Sequence, residues 1–127
     1  MTRYIGLLLI FFVFFSGNAF AGETSWIAVS ADGKDLSASV SAVAARSPYF
    51  LFFDEQGTLV EAIENPFLNA SGGAGRQAAD FFAARNARIV IAGEFGSKML
   101  DAMREKGVSS MLFRGSAAEA VKKALEK

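Results

Sequence analysis

The chain has 127 residues with no histidine and no cysteine, and its 13 Lys and Arg side chains balance 13 Asp and Glu. That composition excludes histidine-dependent nucleophilic triads, zinc sites built on Cys or His, thiolate-held clusters and disulfides. With no basic excess, the chain is also not equipped for non-specific binding to nucleic acid or to an anionic membrane surface.

The N-terminus reads as a secretory signal. Arg3 supplies the positive start, residues 5–15 are apolar, and Ser16, Gly17 and Asn18 break the run before the small-x-small site Ala19-Phe20-Ala21. A membrane-spanning helix needs roughly 20 apolar residues, and this run is well short of that. Residues 1–21 are therefore expected to be removed before Gly22, with no membrane span left after cleavage. Residues 22–127 are expected to work as one periplasmic or secreted domain.

Residues 26–30 form an apolar run that predicts a buried strand, ended by an Asp32-Gly33 turn. Residues 36–47 have no clear period and read as a loop with a helical turn. Two strands follow, over residues 49–54 and 58–64. They are separated by Glu55-Gln56-Gly57 and are expected to pair as an antiparallel hairpin. Asn65-Pro66 ends the second strand, and a loop runs to Ser71-Gly72-Gly73-Ala74-Gly75. The spacing then predicts a helix over 76–86, a strand over 88–93 and a helix over 98–106 capped by Ser97 and stopped by Gly107. A strand over 108–113 and a helix over 117–126 capped by Ser116 complete the chain. Strand–helix alternation in the second half implies parallel pairing, and the hairpin adds antiparallel strands. The expected fold is a three-layer α/β/α domain with a mixed five-stranded sheet.

The stretch Gly72, Gly73, Ala74, Gly75 and Arg76 is the most informative. Glycines directly before a helix let successive backbone N–H groups point at one spot, where the helix dipole adds positive charge. The alternative is a flexible loop with a glycine lead-in, since neither the Walker nor the dinucleotide pattern is present. Asp32, Asp54 and Glu94 lie at expected strand ends and suggest either a magnesium-dependent hydrolase or simple turns. Arg46, two residues before Pro48, either lines a pocket or is solvated. The phenylalanines at 50, 52, 53, 81, 82, 95 and 113 read mainly as core.

Several segments, in order, resemble the dinitrogenase iron–molybdenum cofactor biosynthesis family. They are residues 27–30 with Asp32-Gly33, Val40-Ser41, Arg46, Pro48-Tyr49-Phe50, Asp54, Ile63-Glu64-Asn65-Pro66-Phe67, Gly72-Gly73-Ala74-Gly75, Gln77-Ala78-Ala79, residues 90–93, Gly96 and Phe113-Arg114-Gly115. The resemblance implies a ribonuclease H-like fold. It also implies a non-enzymatic role in binding or carrying an anionic iron–molybdenum or other metal–sulfur cluster, as in NifX-type proteins and the C-terminal domain of NifB-type proteins. The family pattern usually carries a histidine between the Val-Ser and Arg positions. This chain has Ala42-Val43-Ala44-Ala45 there, and Ala31 is an extra residue before Asp32. Most members are also cytoplasmic. What the resemblance leaves is a cluster or other small anion held by the residue 72–75 amides with Arg46 and Arg76, and no metal-ligating side chain. A protein-interaction module that has lost the ligand is the alternative.

Overall fold

The computed structural model describes residues 26–126; the expected signal segment lies outside them. In chain order the elements are β1 (Trp26–Ala31), a 3-10 turn (Ala44–Arg46), β2 (Tyr49–Phe53), β3 (Leu59–Glu64), α1 (Ala74–Ala84), β4 (Ala87–Ala92), α2 (Ser97–Glu105), β5 (Ser109–Leu112) and α3 (Ala117–Leu125). The five strands lie in the order β3-β2-β1-β4-β5. β1, β4 and β5 are parallel, while β2 runs antiparallel to both β1 and β3. This is the mixed five-stranded sheet expected from the order of elements, in line with the ribonuclease H-like fold that the resemblance implies.

The apolar runs of β1, β2 and β4 are explained by burial on both faces. Ala28, Phe50, Phe52 and Val90 point to one side, where they meet Ala78, Ala79 and Phe82 of α1 and Met99, Ala102 and Met103 of α2. Phe82 anchors this layer, with its ring centroid 4.6 Å from that of Phe50. Ile27, Val29, Leu51, Phe53, Ile89 and Ile91 point the other way, against Ala117, Ala120, Val121 and Ala124 of α3. The two crossovers, β3–α1–β4 and β4–α2–β5, thus place their helices on one face, as a common hand of connection requires. No helix among the described residues is long and apolar enough to cross a membrane.

Four details differ from the sequence expectation. α1 starts at Ala74, so Ala74 and Gly75 belong to its first turn rather than to the preceding loop. Its end is set by Asn86, whose φ of 65° breaks the helical path and is a conformation asparagine tolerates. Ser97 is the first residue of α2 and not its cap; Gly96 holds that place. In β3 the register shifts between Phe52 and Phe53, which pair with Glu61 and Leu59, so Val60 is a bulged residue on the sheet edge.

Candidate functional site

Because β3 and β4 run the same way, the connections leaving their C-terminal ends deliver the N-termini of α1 and α2 to the same edge of the sheet. There the two helix starts border one cleft of about 370 Å³. Its lining includes Gly73, Ala74, Gly75 and Arg76 from α1 and its cap, and Gly96, Ser97, Lys98 and Met99 from α2 and its cap. The segment around the 3-10 turn supplies the remaining wall through Val43, Ala45 and Arg46. Ligand sites of α/β folds gather at this carboxyl edge for the same topological reason.

The three helices treat their N-termini differently. In α3 the first N–H groups are all bonded from within the protein. Ala117 N–H donates to the Ala38 carbonyl (2.8 Å), Ala118 N–H to that of Leu36 (3.0 Å), and Glu119 N–H to Ser116 Oγ (3.1 Å) in a capping box. In α1 and α2 the cap residues are glycines with no side-chain cap bond. The first helical bonds run from Gln77 N–H to the Gly73 carbonyl and from Leu100 N–H to that of Gly96. Among the described residues, no other segment accepts from the N–H groups that precede them. Two sets of orphan donors, each at the positive end of a helix dipole, thus face one cleft. Arg76 and Lys98, both exposed, add full positive charges beside them.

Each glycine of the loop has its own reason. Gly73 has φ 74°, the left-handed conformation that turns the chain into α1, and a Cβ there would meet nothing within 4 Å. Gly75 is required by packing, because a Cβ would lie 3.0 Å from Met99 Cβ where α1 and α2 cross. Gly72 does not border the cleft. Of the six residues expected to bind, Gly73, Ala74, Gly75, Arg76 and Arg46 therefore meet at one site and Gly72 stands outside it. Arg46 is also partly engaged, since its Nη1 donates to the carbonyls of Leu68 (3.0 Å) and Ala70 (3.1 Å).

The three carboxylates do not assemble. β2 is antiparallel to β1, and Ile27 pairs with Phe53 while Ala31 pairs with Tyr49. Asp54 therefore lies beyond the start of β1 and Asp32 beyond its end, about 20 Å apart at the rise of an extended strand. Asp54 makes the hairpin turn, accepting from the N–H groups of Gln56 and Thr58 at 2.9 Å each. Asp32 accepts from Ser41 Oγ at 2.5 Å. No three acidic side chains among the described residues are grouped to hold a cation, so the hydrolase built on this trio is withdrawn.

The structure adds residues that sequence reasoning missed: Gly96, Ser97 and Lys98. A signal was present, because residues 93–96 repeat the pattern of a strand, a short glycine-bearing loop and a helix start. Residues 42–45, where the resemblance leads one to expect a histidine that this chain lacks, contribute Val43 and Ala45 to the cleft wall, with Val43 41% exposed.

Residues 25–127 match the model of the family described as dinitrogenase iron-molybdenum cofactor. Among curated protein sequences there is no significant match. Among solved structures, the chain is similar to the apo form of the orange protein from Desulfovibrio gigas. The two are 27% identical over 80% of this chain and 88% of that one, with a TM-score of 0.75. It is also similar to a NifB-like protein from Thermotoga, at 29% identity over 80% of this chain and 88% of that one and a TM-score of 0.68. With its whole described fold inside the matched region, this chain belongs to the dinitrogenase iron-molybdenum cofactor family.

Proposed function

We propose that the protein is a non-enzymatic binding or carrier domain that takes a preformed anionic metal–sulfur cluster, of iron–molybdenum type, or a similar small anion, into the cleft between α1 and α2. The observation that carries this reading is the convergence of two helix N-termini, uncapped by any side chain, with Arg76 and Lys98 beside them. Family membership and the two similar structures support binding rather than catalysis. The signal expected from the sequence of residues 1–21 supports a domain that works in the periplasm or after secretion, alone or with a partner protein.

The donor set suits such a cargo. A sulfide-rich cluster presents negative, polarisable sulfur at its surface, and backbone N–H groups and cations complement that charge. The apolar wall of Val43, Ala45 and Met99 complements the weak hydration of sulfur. The lining offers no thiolate or imidazole, so the cluster is held through its outer atoms and enters and leaves with its metal–ligand bonds intact. Charge-assisted hydrogen bonds contribute about 1.5–3 kcal/mol each. Three or four of them in a preorganised site give micromolar affinity, about −8 kcal/mol.

Titration of the purified protein with tetrathiomolybdate tests the reading. Wild type binds in the micromolar range, and Arg76→Ala or Lys98→Ala each cost about 1–3 kcal/mol, with affinity falling as salt is added. Absence of binding, or equal affinity in wild type and both variants, would replace this reading with that of a protein-interaction module.

A further inference from the structure

The cleft is formed by segments from three places in the sequence, and hydrogen bonds from the 3-10 turn reach the loops that deliver both helices. Ala44 N–H donates to the Glu94 carbonyl (3.0 Å), on the loop that leads into α2. Ser30 Oγ donates to the Ala44 carbonyl (3.1 Å) and fixes the turn to β1. Toward α1 the links are denser. Asn65, only 6% exposed, donates through Nδ2 to the carbonyls of Ala45 (2.9 Å) and Ser47 (2.8 Å). Its Oδ1 accepts from Phe67 N–H (2.8 Å), and its own N–H donates to the Pro48 carbonyl (2.9 Å). Arg46 closes the same joint from the other side through its two bonds to Leu68 and Ala70.

We propose that Asn65 and Arg46 are positioning residues: they clip the 3-10 turn to the 65–70 loop and so set where the α1 N-terminus stands relative to that of α2. The inference rests on the reading of the cleft as an anion site. It also changes the part given to Arg46. An arginine at the rim of an anion site would ordinarily be taken as a charge contact. Here Nη1 is spent on two carbonyls of the loop running into Gly73, so the residue acts on the ligand through that loop. Asn65 suits its place because a buried primary amide supplies two donors and an acceptor to three backbone groups at once. Aspartate, nearly the same shape, would turn both donors into acceptors facing carbonyl oxygens.

Two measurements on the full mature protein test this. The first needs no ligand: amide hydrogen exchange at Leu68, Ala70 and Gln77, whose N–H groups donate to the carbonyls of Asn65, Phe67 and Gly73, with the α3 amides as internal reference. Arg46→Ala and Asn65→Asp both speed exchange at Leu68, Ala70 and Gln77 and leave α3 as in wild type. The second is tetrathiomolybdate titration across a salt series. Arg46→Ala and the uncharged Asn65→Leu weaken binding about tenfold, the scale of one lost hydrogen bond, while the slope of log affinity against log salt stays that of wild type. Arg76→Ala, by contrast, weakens binding and flattens the slope. An Arg46→Ala slope as flat as that of Arg76→Ala would make Arg46 a direct ligand contact and overturn the proposal. Wild-type exchange at Leu68, Ala70 and Gln77 in both variants would overturn it as well. If wild type fails to bind while both variants speed exchange, the anion reading falls and the clip stands.

Discussion

Gly72, Gly73 and Gly75 look alike in the sequence and are unlike in the structure, and their substitutions separate the reasons. Gly75→Val forces a side chain against Met99 Cβ, 3.0 Å away on a packed helix, and costs about 1–3 kcal/mol of stability. Gly73→Val places a β-branched residue at φ 74°, costs about 1–2 kcal/mol, and fills space that the proposed ligand would occupy. Gly72→Ala meets nothing within 4 Å and has no positive φ to resist it. Its stability stays within about 0.5 kcal/mol of wild type. Urea denaturation of the three variants checks the ranking, and a Gly75→Val protein as stable as wild type would refute the packing argument. The sequence pointed to this stretch as one anion loop, and the structure places most of it at the cleft. It could not assign Gly75 to helix packing, because Met99 is brought there only by the tertiary fold. Lys98 was missed for a related reason: a lysine opening an amphipathic helix looks solvated until a second helix start is placed beside it.

The secondary-structure elements were legible where their signals are local. Ser116 was legible as the cap of the last helix, and the structure adds Glu119 to complete a capping box, with Glu119 N–H donating to Ser116 Oγ and Ser116 N–H to Glu119 Oε1. Ser116→Ala removes the cap and costs about 1 kcal/mol. Denaturant midpoints read that loss, while tetrathiomolybdate affinity is unchanged because α3 lies on the opposite face of the sheet. Reduced affinity in this variant would contradict the separation of the two faces. The same cap preference misled at Ser97, where serine is the first helical residue and glycine the cap. A serine one position earlier would present its own oxygen to the donors that α2 turns toward the cleft. In β3, the period-two pattern gave the strand, but the Val60 bulge depends on pairing with β2 and leaves no mark in one strand's sequence.

For the whole molecule, alternating strands and helices were enough to predict three layers and a mixed sheet, and the uninterrupted apolar runs agree with burial on both faces. The carboxylate cluster failed at this scale, since only the antiparallel direction of β2 reveals that Asp54 and Asp32 belong to opposite ends of the sheet. Export is an expectation at this scale too. The Ala19-Phe20-Ala21 site leads to a mature N-terminus at Gly22, and intact-mass measurement of the native protein reads it directly. A mass that includes residues 1–21 would contradict it. The sheet order carries one more consequence, for the time course of folding. β1 is the central strand, paired on one side with nearby β2 and on the other with β4 from the far half of the chain, as in Ile27 against Ile89. Loop closure over that separation must precede the parallel contacts that reward it. A nascent chain that has reached only the β2–β3 hairpin therefore leaves one edge of its buried central strand bare. That edge is sealed when residues 87–92 arrive, so the last third of the sequence decides when the first strand is safe from pairing with a neighbour.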